Sequence, residues 1–234
     1  MTGHVDTFVR DNLPPRDQWP ELRFTLPELQ FPERYNASDI LDRAVASGMG
    51  ANAAVHTATE TLDYDALLRE ASRLAHVLTN AFGLVPGNRV LVHSSNTKLS
   101  IPVWWGVFRA GGVAVGTMPM LRAHELAVIL DRAKVTHAIV DAHLAGGLDQ
   151  ARKDAPSLKH IIHADDLAQR MERAPDFVSA SATAPDDPAL IAFTSGTTGK
   201  PKGCVHFHRD IAAMAETFSL HVLRPKPSDV FVGT

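Results

Sequence analysis

From residue 63 to residue 193 the sequence keeps switching between two periods. Short apolar runs rich in Val and Ile, such as Arg89-Val90-Leu91-Val92-His93 and His160-Ile161-Ile162-His163, alternate with longer stretches whose apolar residues return every three or four positions. The short runs have the length and β-branching of buried strands, and the longer ones have the spacing of helices with one apolar stripe. A strand that is apolar on both sides must be covered on both faces. Strands joined through helices run parallel, because a crossover brings the chain back to the same end. The expected architecture is therefore α/β, a largely parallel sheet covered by helices on both faces.

Punctuation sets the expected boundaries. Residues 1–37 carry Pro14, Pro15, Pro20, Pro27 and Pro32 with little periodicity. They read as an extended lead-in anchored by Trp19, Phe24 and Phe31, ahead of a domain over 38–234. Ser38 is placed to cap a helix over 39–47, with Gly48 as its stop. A strand is expected over 52–59. Asp63 or Asp65 then opens a long helix bearing Leu67, Leu68, Ala71, Leu74, Ala75 and Leu78 on one stripe, ended by Gly83. Strands follow over 89–93, 113–115, 138–140, 160–163 and 189–193. Helices are expected over 97–110, 123–133 and 143–152, and residues 173–188 read as a surface connection.

Composition removes several classes of function. A hydrophobic fraction of 45% and a charged fraction of 21% suit an ordinary folded domain. A net charge of -3 offers no general field for nucleic acid. Cys204 is the single cysteine, so no internal disulfide forms, which fits a reducing cytoplasm. Residues 101–121 have the length of a membrane span and one charge, Arg109, but Pro102, Gly106, Gly111, Gly112, Gly116 and Pro119 interrupt them. A helix halted by the double glycine, followed by a short strand, accounts for the segment better.

One segment concentrates chemistry. After the apolar run Ala189-Leu190-Ile191-Ala192-Phe193 comes Thr194-Ser195-Gly196-Thr197-Thr198-Gly199-Lys200-Pro201-Lys202-Gly203. Glycines let successive backbone N–H groups turn inward into an anion-holding concavity, hydroxyls add donors, and lysines add charge. A loop leaving a buried strand emerges at the sheet edge where α/β proteins bind ligands. The combination suits a polyphosphate. It is not a Walker A loop, which needs Gly at 194 and Ser or Thr at 201, where this chain has Thr and Pro. Gly, Ser, Thr and Pro also dominate plain surface turns, but this density of donors and lysines behind a buried strand fits a ligand loop better.

The string from Thr194 to Gly203, followed by His206-Phe207-His208-Arg209-Asp210, closely resembles the signature loop of the adenylate-forming acyl/aryl-CoA synthetase superfamily. Asp6-Thr7-Phe8 to Trp19-Pro20-Glu21, Val85-Pro86-Gly87-Asn88-Arg89-Val90 and Ala110-Gly111-Gly112-Val113 look most like aryl acid-CoA ligases of the 2-aminobenzoate and benzoate groups. The resemblance implies ATP-dependent conversion of an aromatic carboxylic acid to an acyl-adenylate, then transfer to coenzyme A. It implies that Thr194, Ser195, Gly196, Thr197, Thr198, Gly199 and Lys202 wrap the β- and γ-phosphates, with Lys200 at a position of variable type. Mg²⁺ is expected to bridge the phosphates, with no carboxylate of this chain assignable as its ligand. A small-molecule acid, ATP and CoA are the expected partners, without nucleic acid or membrane. Full members of that family are much longer. The acid pocket and the C-terminal domain with the adenylation lysine are thus expected beyond residue 234, leaving this chain without turnover. Two rival readings share the loop: an enzyme that loads an acyl-carrier protein, and a non-catalytic nucleotide- or partner-binding remnant.

Other residues read more plainly. His206 and His208 form an H-x-H short of further ligands at metal spacing, so no metal site is expected and His208 reads as a helix start. Cys204 is expected to be a small buried apolar residue. Trp104, Trp105 and Phe108 fall at helical spacing and read as core. Arg209-Asp210 reads as a surface or helix-terminus pair.

Overall fold

A computed structural model of the chain describes residues 1–194, 201–226 and 228–232. Its centre is a six-stranded sheet of β3 (Arg89–His93), β4 (Val113–Gly116), β5 (His137–Val140), β6 (His160–His163), β7 (Pro188–Thr194) and β8 (Lys202–Phe207). The spatial order is β6-β5-β3-β4-β7-β8. Every pairing is parallel except β7 with β8, which is an antiparallel hairpin.

The helices follow the stripes. They are α1 (Phe8–Asp11), α2 (Asp39–Ala44), α3 (Tyr64–Asn80), α4 (Ser100–Arg109), α5 (Ala123–Arg132), α6 (Ala145–Ala151), α7 (Ala164–Met171) and α8 (His208–Met214). β3 explains why both faces are covered, since all five of its residues are buried. Val90 and Val92 point to one core with Leu74 and Leu78 of α3, Val103 and Val107 of α4, and Leu167 and Met171 of α7. Leu91 points to the other, with Leu126, Ile129 and Leu130 of α5 and Leu148 of α6. Each fully buried Leu contributes roughly 1.5–3 kcal/mol by leaving water.

Two glycines fix how closely these parts approach. A Cβ on Gly106 of α4 would lie 2.5 Å from Leu74 Cδ2, so its absence lets α3 and α4 meet. Gly111 has φ +75° and turns the chain from α4 into β4, as the double glycine predicted. Buried Arg109 ties this corner together. Its guanidinium donates to both oxygens of Asp42, at 2.7 and 3.1 Å, and its Nε donates to the Val178 carbonyl at 2.7 Å.

Several expectations are corrected. Ser38 does not cap α2, because its own backbone is already helical (φ -68°, ψ -14°). The turn is held instead by Asp39, whose carboxylate accepts from Asn36 N–H, and by Asn36, whose Oδ1 accepts from Ser38 N–H, both at 2.9 Å. Beyond Ala44 the helix widens to a π turn over Val45–Met49, with Gly48 at φ +88°. The single strand expected over 52–59 is a small separate hairpin, β1 (Ala53–His56) against β2 (Thr61–Asp63), because residues 57–60 form its turn. α7 is an added helix in a stretch where none was expected. Asp63, one of two candidates, does cap α3 by accepting from Ala66 N–H at 2.7 Å.

The first residues of the chain tie back onto the sheet through a polar seam. Asp6 pairs with Arg89 at 2.5 Å, and Asp187 accepts from Gly3 N–H and Arg10 at 2.7 and 2.8 Å. Farther along, Trp19 stacks on Phe207 with centroids 5.6 Å apart.

Candidate functional site

The five parallel strands end together, so His93, Gly116, Val140, His163 and Thr194 mark one carboxyl edge of the sheet. The candidate phosphate loop leaves at that edge and returns as β8. Pairing runs in register from Leu190↔His206 to Thr194↔Lys202. Directly opposed residues in such a ladder have Cα atoms about 4.5–5.5 Å apart. The hairpin mouth therefore sets Thr194 and Lys202 face to face, both exposed to solvent. Ser195, Gly196, Thr197, Thr198, Gly199 and Lys200 lie outside the described residues.

The local sequence makes this hairpin. Pro188, which has no N–H to give to a ladder, begins β7. Gly203 leaves room for β7 side chains to close over the edge strand, since a Cβ there would lie 3.0 Å from Ile191 Cγ2 and 3.4 Å from the Phe193 ring. Just outside the mouth, Arg132 Nη1 donates to the Pro201 carbonyl at 2.5 Å.

At its far end β8 passes into α8. Phe207 N–H is accepted by Asp210 at 2.9 Å, so Asp210 caps the helix as a terminus residue. His208, the first residue of α8, is fully buried, and its Nδ1 accepts from Ala37 N–H at 3.0 Å. An acceptor there requires the unprotonated nitrogen, and burial lowers the ring's pKa to about 3. The helix-start reading of His208 holds. Under the same turn lies Asp187. Burial alone would raise its carboxyl, but hydrogen bonds from Ala184 N–H, Thr2 and Gly3 N–H hold it at about 2.

Cys204 is corrected: it is exposed, facing Ala192 across the ladder. The reason is position, because the first three residues of edge strand β8 are all uncovered. Trp104 and Trp105 pack against the core as expected, and Phe108 lies within it. Among the described residues no group of three or more His, Cys, Asp or Glu is placed to hold a metal. Among those residues, also, no helix is long and apolar enough to cross a membrane.

Sequence reasoning missed a polar cluster on the same edge. Thr117 Oγ1 donates to the Val92 carbonyl at 3.1 Å and lies 2.9 Å from His93 Nδ1. With its one proton committed, the hydroxyl accepts from His93, which puts the imidazole proton on Nδ1. Burial lowers the His93 pKa, opposed by Asp141 and reinforced by His143. Asp141 accepts from Ser95 N–H at 2.7 Å, and Ser95 Oγ lies 3.2 Å from His143 Nε2. A signal was present, since each of these polar residues ends or closely follows a buried strand, as Thr194 does.

A family model described as AMP-binding enzyme matches residues 41–234. The chain belongs to the AMP-binding enzyme family. Among its relatives, a benzoate-CoA ligase of Thauera aromatica is 28% identical over 212 residues, which cover 88% of this chain and 40% of the relative. A salicyl-AMP ligase / salicyl-S-ArCP synthetase of Mycobacterium tuberculosis is 30% identical over 87% of the chain and 35% of its own length. Among solved structures, an anthranilate CoA ligase in complex with anthranoyl-AMP superposes with a TM-score of 0.78 at 24% identity, over 84% of this chain and 38% of that one. At that identity the likeness concerns the fold alone. This AMP-binding enzyme chain thus spans about 40% of the length of the benzoate-CoA ligase it matches.

Proposed function

We propose that this chain supplies the phosphate-gripping part of an enzyme that activates an aromatic carboxylic acid with ATP and passes the acyl group to coenzyme A. Residues 38–234 form part of its adenylating domain, and residues 1–37 a strap laid over it. One observation carries the reading: an in-register hairpin at the carboxyl edge sets Thr194 opposite Lys202 at the two ends of the Gly/Ser/Thr-rich loop. Thr194, Ser195, Gly196, Thr197, Thr198, Gly199 and Lys202 cradle the β- and γ-phosphates. An acid carboxylate oxygen bonds to the α-phosphorus, the α–β P–O bond breaks, and pyrophosphate leaves. Fixed donors and the Lys202 ammonium stabilise the negative charge that develops on this leaving group. A thiol then bonds to the acyl carbon, AMP departs, and the thiol proton passes to solvent.

Mg²⁺ fits as a passenger of the nucleotide, because it keeps most of its waters and needs few protein ligands. A cytoplasmic setting supplies ATP and CoA.

Benzoate in the name of one relative and salicyl in another support an aromatic acid. The second of those names also supports a different acceptor, the thiol of an aryl-carrier protein. Acid-dependent exchange of labelled pyrophosphate into ATP tests the first step, with benzoate, 2-aminobenzoate, salicylate and a fatty acid in parallel. The assay uses the full reading frame. Exchange is expected with one or more aromatic acids and is expected to be lost in Lys202→Met. Exchange with the fatty acid alone, or none with any acid, would refute the proposal. Offering CoA and a carrier protein side by side identifies the acceptor.

A further inference from the structure

Arg132 stands where the loop ends. Its guanidinium donates to the carbonyl oxygen of Pro201 at 2.5 Å. Pro201 lies one residue outside the last described ladder pair, Thr194↔Lys202. Proline has no N–H, which leaves that carbonyl as the residue's one backbone hydrogen-bonding group. The carbonyl shares a planar peptide unit with Lys202 N–H. Whatever fixes one fixes the orientation of the other, and with it the start of β8.

The support behind Arg132 is rigid. It is the last residue of α5, whose Leu126, Ile129 and Leu130 are buried under the sheet. The next two carbonyls, of Ala133 and Lys134, accept from the buried guanidinium of Arg89 at 3.0 and 2.9 Å. Arg132 also lines one recess with Ile191, Phe193, Gly203 and Val205, so it abuts the hairpin itself. A charge-assisted hydrogen bond thus joins an immobile helix end to the peptide preceding the lysine proposed to meet the nucleotide.

We propose that Arg132 is a positioning residue for Lys202, holding the Pro201–Lys202 peptide so that the Lys202 side chain is correctly oriented. This rests on the reading of Lys202 as a phosphate ligand. The guanidinium acts through the carbonyl it grips.

The test compares the intact parent protein with its Arg132→Lys, Arg132→Gln and Arg132→Met variants, beside Lys202→Met. MgATP affinity is read by calorimetry, and amide hydrogen exchange is read on β8 without nucleotide. A Lys side chain keeps a charged donor of nearly the same length, whereas Gln, whose amide nitrogen sits where Arg Nε does, and Met leave the carbonyl without its donor. Arg132→Met is expected to weaken MgATP about tenfold and to speed exchange of the first β8 amides, in proportion to one lost charge-assisted hydrogen bond. Arg132→Lys is expected to stay within about threefold of the parent, and Arg132→Gln to lose about as much as Arg132→Met, on the same reasoning.

A loss in Arg132→Lys as large as that in Arg132→Met would mean that a donor at this position does not hold the site, and would overturn the proposal. So would faster β8 exchange in Arg132→Met with unchanged MgATP affinity, which marks a merely structural bond. If Lys202→Met binds MgATP like the parent, or the parent binds none, the loop reading itself fails and the positioning role falls with it. Loss in Lys202→Met with none in Arg132→Met removes the Arg132 role alone.

Discussion

His208 predicts a measurable acid weakness. In the folded chain the ring is fully buried, accepts from Ala37 N–H through Nδ1, and titrates at about 3. In the unfolded chain it titrates near 6.5. The folded pKa is the lower one, so acid protonates the unfolded state first. The stability that depends on a neutral ring is fully present above pH 6.5 and drains away as pH falls toward 3. Between pH 7.5 and 5.0 this one group removes about 2 kcal/mol, from a slope of roughly 1.36 kcal/mol per pH unit below the unfolded value. Burial also lowers His4, His93 and His137, so the total acid loss is larger and only a difference isolates His208. His208→Asn keeps an acceptor in place of Nδ1 and removes the titration. Urea unfolding at the two pH values, for both proteins, gives four free energies. The variant is expected to start less stable at pH 7.5 yet lose about 2 kcal/mol less on going to pH 5.0. Equal losses in the two proteins, within about 0.5 kcal/mol, would refute the buried neutral imidazole.

Two further outcomes follow from packing. Arg109→Met leaves Asp42 and the Val178 carbonyl without their donor, and is expected to cost about 3 kcal/mol in urea unfolding, the low end for breaking a largely buried pair because Asp42 is partly exposed. Gly106→Ala drives a methyl group into Leu74 at the α3–α4 contact and is expected to cost about 1–3 kcal/mol, seen as a lower melting temperature at unchanged helix content.

The sheet was largely legible because its strands are covered on both sides. The Val/Ile-rich runs at 89–93 and 160–163 match β3 and β6 residue for residue. α7 escaped notice because it follows β6 with no intervening turn and shows only Leu167 and Met171 as its buried stripe. Ser38 misled because an N-cap is defined by backbone angles as much as by a hydroxyl, and Asn36 and Asp39 had taken over that task. At the site, the candidate phosphate loop stands out by composition in ten consecutive residues, of which 195–200 lie outside the described ones. The grip of Arg132 on Pro201, the His93–Thr117 pair and the ties from Thr2 and Gly3 to Asp187 join residues from 24 to 185 positions apart. No local pattern records such contacts. Exposure of Cys204 was hidden likewise, since an edge strand and a central strand can share the same letters.

The β7–β8 ladder also constrains evolution at this edge. Side chains on a strand alternate between faces, and Thr194↔Lys202 and Ile191↔Val205 belong to one continuous register. If the gain or loss of one residue between them were absorbed by sliding β8, Val205 and Phe207 would swap sides along with Lys202. A slip of β8 along β7 would therefore cost apolar packing as well as the placement of Lys202.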